Sequence, residues 1–125
     1  MSKKWGDRRD GKLIRDIGNE VLRHRVSVAN GWDDGPRKDQ LLRVMNRQAP
    51  VEEVAESLGL LAEAIHAHWK VKPIILIDEY DQPISSASTF GYYDQMCAFM
   101  RTFLSSALKD NAHVEMGLMT GVLRV

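Results

Sequence analysis

Three carboxylates, Asp78, Glu79 and Asp81, stand directly after the apolar run Ile74-Ile75-Leu76-Ile77. Carboxylates so placed can hold a divalent cation and take a proton from water. Hydrolysis of a nucleoside triphosphate needs both. A strand-end Asp carries Mg²⁺, the metal bridges the terminal phosphates, and an adjacent Glu accepts the proton of the attacking water. On that reading Asp78 is the metal residue, Glu79 the general base, and Asp81 a further carboxylate near the metal or a loop cap. The bland alternative is a buried strand ending in a solvated acidic turn.

The run is opened by Pro73, closed by Pro83, and has no polar face. It predicts a strand buried on both faces, as in the middle of a parallel α/β sheet. The carboxyl ends of such strands are where open α/β sheets bind ligands. Upstream, the spacing of Leu13, Ile14, Ile17, Val21 and Leu22 predicts a helix over 12–29, with Asp10 as N-cap and Asn30-Gly31 as a left-handed stop. The alternating Val26-Ser27-Val28 also admits a short strand. Trp32 to Arg37 reads as a Gly/Pro turn, and a short amphipathic helix follows over 39–47. Pro50 opens a helix over 51–69, with Glu52, Glu53 and Glu56 near its positive end. His66 and His68, two apart near the other end, point in different directions and cannot share a metal on one face.

Downstream of the acids, Ser85 to Gly91 reads as a Ser/Thr/Gly-rich loop. A helix over 92–109 carries Met96, Phe99, Met100, Phe103 and Leu104 as a core stripe, with Cys97 a small buried residue on it. His113 begins a second strand that ends near Thr120. Together these segments predict an α/β fold with parallel strands and helices preceding the acid-tipped strand. The chain divides into a loose start over 1–11, a helical part over 12–69 and a strand–helix–strand core over 73–125.

The string LIDEYDQPI, followed by FLSSALKDN and then by GLMTGVLRV, resembles the AAA-ATPase-like family of prokaryotic P-loop proteins. The resemblance runs over about residues 50–125 and is strongest at DEYDQPI and TGVLRV. It implies a partial P-loop NTPase-like, doubly wound domain with ATP and Mg²⁺ as ligands. LIDE would then be the Walker B segment, and Met119-Thr120-Gly121 the next strand end, where a sensor residue sits. Thr120 becomes a candidate sensor of the γ-phosphate and Arg124 a candidate phosphate contact. Family members often carry a linked PD-(D/E)XK nuclease-like domain, so nucleic acid enters only through such a domain.

The phosphate loop itself is missing from the pattern. Gly6-Asp7-Arg8-Arg9-Asp10-Gly11-Lys12 matches the Walker A spacing, but Leu13 stands where a Mg²⁺-binding hydroxyl is needed. No buried strand precedes it, and two acids lie within it. The expectation is an incomplete ATPase module, inactive alone and completed by another part of its domain or a protein partner. A non-catalytic interaction or regulatory fragment of the same fold is the alternative. A metal-dependent nuclease on Asp78, Glu79 and Asp81 is a third, weakened because Glu115-Met116-Gly117 lacks the Lys such a site requires.

Composition narrows the rest. Seventeen basic and seventeen acidic residues cancel, so net charge does not argue for a phosphate-backbone binder. One cysteine excludes an internal disulfide and fits a reducing, cytoplasmic setting. No apolar stretch is long enough for a spanning helix, and the charged start is unlike a secretory signal.

Overall fold

The structure is a computed structural model that describes residues 11–109 and 111–121. The elements are α1 (Gly11–Arg23), α2 (Arg25–Gly31), α3 (Pro36–Met45), α4 (Val51–Trp69), β1 (Ile74–Ile77), α5 (Gln82–Phe90), α6 (Tyr93–Leu108) and β2 (Met116–Met119). The fold is mixed α/β. The expected Asp10 cap, most of the Gly6 to Lys12 stretch and Arg124 lie outside the described residues.

The helix α4 organises the helical part, packing most extensively on α6, then on α2, α1 and α3. Its Val54, Leu61 and Ala64 meet Val21, Val28, Leu41, Met96 and Phe99 in one core. The approach to α6 is close because Gly59 has no side chain: a Cβ there would lie 2.4 Å from the carbonyl oxygen of Ser106. Between α3 and α4, Arg43 grips Glu53 through two bonds, Nε to Oε1 at 2.9 Å and Nη2 to Oε2 at 2.7 Å. Hydrogen bonding to Arg43 holds the Glu53 carboxyl below the usual carboxylate range.

Several expectations are corrected. The helix expected over 12–29 is two helices, broken at His24, whose φ of −104° and ψ of 27° leave the helical basin. The break turns Ser27 and Val28 towards α4: Val28 is fully buried, and Ser27 Oγ accepts from Trp69 Nε1 at 3.0 Å. Val26-Ser27-Val28 is therefore helix. Gly31 ends α2 without a left-handed turn; it is small because a Cβ would lie 2.5 Å from the Ala64 carbonyl oxygen. The helix expected from Asp39 begins at Pro36, which occupies its first turn. Pro50 caps α4 with extended backbone, one residue before the helix.

The expected loop over 85–91 is helix α5. Pro83 opens it, buried Ala87 anchors it, and Gly91 closes it with a left-handed φ of 86°. A Ser/Thr-rich composition hid this helix because its hydroxyls suit turns as well as helix surfaces; Thr89 Oγ1 donates to the Ser85 carbonyl at 3.2 Å.

The two strands pair in parallel, Ile74 with Met116, Ile75 with Gly117, Leu76 with Leu118 and Ile77 with Met119. Burial differs from the expectation for a central strand. Ile75 is buried against Ala62 and Ala107, but Ile74 is 57% and Leu76 71% exposed. All four residues of β2 are exposed. Helices pack on the face that carries Ile75, and Ile74 and Leu76 leave the other face largely exposed. Among the described residues no helix is long and apolar enough to cross a membrane.

Candidate functional site

Both strands end at the same level, and their ends build one junction. The Thr120 N–H donates to the Ile77 carbonyl at 2.9 Å, and the Tyr80 N–H donates to the Thr120 carbonyl at 2.9 Å. The parallel ladder therefore runs past Ile77 and brings Thr120 beside the acids. Thr120 Oγ1 donates to Asp78 Oδ1 and accepts from the Glu79 N–H at 3.2 Å. One hydroxyl thus engages the side chain of Asp78 and the backbone of Glu79.

Glu79 adopts a left-handed backbone, φ 53°, which is uncommon for a residue with a side chain. The turn is secured on its far side by the Gln82 N–H, which donates to the Glu79 carbonyl at 3.0 Å. Local strain of this kind persists where surrounding bonds over-determine it. Here the bonds come from Thr120 before the turn and Gln82 after it.

The two aspartates have different surroundings. Asp78 is exposed, whereas Asp81 is buried at the start of α5, where its carbonyl accepts from the Ser85 N–H at 3.0 Å. Gly121 lies over Asp81 and Tyr80; a Cβ at Gly121 would sit 2.7 Å from Asp81 Oδ1 and 2.7 Å from Tyr80 Cε1. The Thr-Gly pair therefore reads as two contacts, the hydroxyl for Asp78 and the bare Cα for Asp81. Spacing did not single out Gly121 or Tyr80. The signal was the Thr-Gly dipeptide at the end of a strand, without any indication of what it would meet.

Asp78, Glu79 and Thr120 are thus brought together, Asp81 lies in the same turn but inside the protein, and Arg124 is outside the described residues. Among the described residues no three His, Cys, Asp or Glu side chains converge to hold a metal. The exposed Asp78 suits Mg²⁺ all the same. That ion takes one or two carboxylates and fills its remaining positions with water and substrate phosphate.

A cleft of about 600 Å³ opens beside this junction. Ile17 and Val21 of α1, Leu61 and Ile65 of α4, and Ile74 and Leu76 of β1 line its apolar part, and Asp78 and Glu79 stand in its wall.

The family model described as Predicted AAA-ATPase, AAA-ATPase_like, matches residues 16–125. The chain belongs to the AAA-ATPase-like family. The match runs from within α1 through β2, with the DEYD turn and Thr120 inside it. No curated protein and no solved structure gives a match.

Proposed function

We propose that this AAA-ATPase-like chain is the metal-and-water half of an ATP-binding and hydrolysing module of P-loop type. The observation that carries the reading is the junction at the carboxyl ends of two parallel strands, where Thr120 ties Asp78 and Glu79 into one rigid turn. Asp78 would hold Mg²⁺, which would supply charge neutralisation to the phosphate groups. Glu79, exposed at the turn, receives the proton of the attacking water. Thr120 reports on the γ-phosphate through the same hydroxyl that orients Asp78. Asp81 supports the turn from inside and lies behind the metal residue.

Phosphate binding also needs a Gly-rich cradle of backbone N–H groups and its Lys. Lys12, the one basic residue at that spacing, lies in α1 and pairs with Asp16 at 2.9 Å. The cradle is therefore supplied by another segment or partner, seated beside the open strand pair, and the module is inactive until it arrives. The second reading, a non-catalytic interaction fragment, is favoured by that same exposed apolar sheet. It differs in one respect, since it needs no nucleotide.

Calorimetry of Mg²⁺–ATP with the purified chain tests the proposal, with Asp78→Ala and Glu79→Gln alongside. The expected result is weak or no binding by the chain alone. Once a phosphate-loop segment is added in trans, binding should be lost in Asp78→Ala, with hydrolysis lost in Glu79→Gln. Binding unaffected by Asp78→Ala would remove that residue from the site. A completed fold that never binds ATP would leave the interaction reading.

A further inference from the structure

The start of β2 is held by a contact that the ATPase reading does not use. Nδ1 of His66, in the last turn of α4, lies 3.0 Å from Nδ1 of His113, in the connection from α6 to β2. The rings are 5.3 Å apart between centroids and tilted by 57°. Around them, Asn111 ties the connection down. Its Nδ2 donates to the carbonyls of Ser106 and Ala107 at 3.2 Å each, and its Oδ1 accepts from the His113 N–H at 2.9 Å. Two residues later the Glu115 N–H donates to the Pro73 carbonyl at 3.0 Å, and the ladder begins.

We propose that the His66–His113 pair is a pH-operated clip fastening the start of β2 to α4. Two facing Nδ1 atoms at this distance make a hydrogen bond only if one carries hydrogen and the other a lone pair. With both rings neutral, one donates and the other accepts. A first added proton goes to the free Nε2 of the donor ring and leaves the contact intact, now charge-assisted. A second proton has only the accepting Nδ1 to occupy. The bond is then lost, and two N–H groups and two positive charges face each other. The clip is therefore closed with up to one added proton and open with two.

The surroundings select which ring donates. Glu63 Oε1 of α4 lies 3.9 Å from His113 Nε2 and is itself paired with Arg37 of α3. A carboxylate there favours hydrogen on Nε2 of His113, which leaves its Nδ1 to accept and makes His66 the donor. Lys109 at the end of α6 and Glu56 of α4 line the same hollow of about 460 Å³. The nearby His68 turns away and stacks edge-on against Trp69, 4.6 Å between centroids. β2 needs such a clip because none of its four residues is buried.

Nitrogen-15 NMR of the histidine rings in the unmodified chain gives a direct test at pH 8. His66 is expected as the Nδ1–H tautomer and His113 as Nε2–H. Two Nε2–H rings would overturn the proposal. Amide hydrogen exchange at Leu118, corrected for the intrinsic chemical rate, gives a second test. Protection should fall about fivefold between pH 8 and a pH at which the same nitrogen-15 spectra show both rings charged, the weight of one modest hydrogen bond. In His66→Gln and His113→Gln it should start lower and stay level. Equal protection of the unmodified chain at both pH values, or the same fall in both variants, would also sink the idea.

Discussion

The helical part and the strand pair of this chain are built on opposite principles. Around α4, residues such as Leu61, Val54 and Val28 are fully or almost fully buried, and bare positions at Gly59 and Gly31 bring backbones into contact. Apolar burial at roughly 25 cal/mol per Å² is enough to hold such a cluster. The strand pair has one buried residue on β1 and none on β2. Polar ties at its two ends hold it instead, His66 with His113 at the start and Thr120 with Asp78 at the finish. The lesson is that the candidate site sits on the part of the molecule least able to stabilise itself. Its rigidity depends on directional bonds and on whatever comes to cover the open face.

Truncation in the two regions should sharpen this contrast. Leu61→Ala is expected to lower unfolding free energy by about 2–5 kcal/mol in urea denaturation, as deletion of buried methyl groups does. Leu76→Ala, on an exposed side chain of the same type, should stay within about 0.5 kcal/mol. Similar losses at both positions would mean that the sheet face is covered in solution.

A smaller effect is expected at the junction. Thr120→Val keeps the shape and removes both bonds of the hydroxyl, and should cost about 1 kcal/mol in the same assay. Thr120→Ser should restore most of it. If valine is tolerated without loss, the strand ends are not held by this hydroxyl.

The smallest effect concerns pH in the helical part. Glu53 has its carboxyl lowered by its hydrogen bond to Arg43, so the folded chain keeps it ionised at pH values where the unfolded chain has begun to protonate it. That contribution is fully present above the usual carboxylate range and is lost as pH falls through the lowered folded value. The pair is solvent-screened, so the acid limb of the stability curve should flatten only slightly in Glu53→Gln. An unchanged limb would show that the pair contributes no pH-dependent stability.

Much of this architecture was legible in the residues. The boundaries of α4 and the placement of α6 followed from apolar periodicity, because a core selects one face of each; β1 followed from its unbroken apolar run and β2 from the apolar stretch after His113. Parallel strands ending near Asp78 and Thr120 were expected, but the hydrogen bond between these two side chains was not. Three features were hidden. The break at His24 comes from the need of Val28 to reach α4, a tertiary demand that overrides helical continuity. Helix α5 was masked by residues that suit turns equally well. The bare faces of Ile74 and Leu76 could not be read at all, since an apolar run states what a strand prefers and not whether anything covers it.

The register carries a consequence for synthesis. Ile74 pairs with Met116, so all of α5 and α6 must leave the ribosome before β1 finds its neighbour. At ordinary elongation rates that delay is on the order of seconds, long compared with the microseconds in which helices and loops form. The nascent chain therefore passes through a stage in which the helices on its amino-terminal side are already made while a sticky apolar ribbon waits unpaired. During those seconds the unpaired ribbon is open to association with other chains, before the acids at its tip can take up any role.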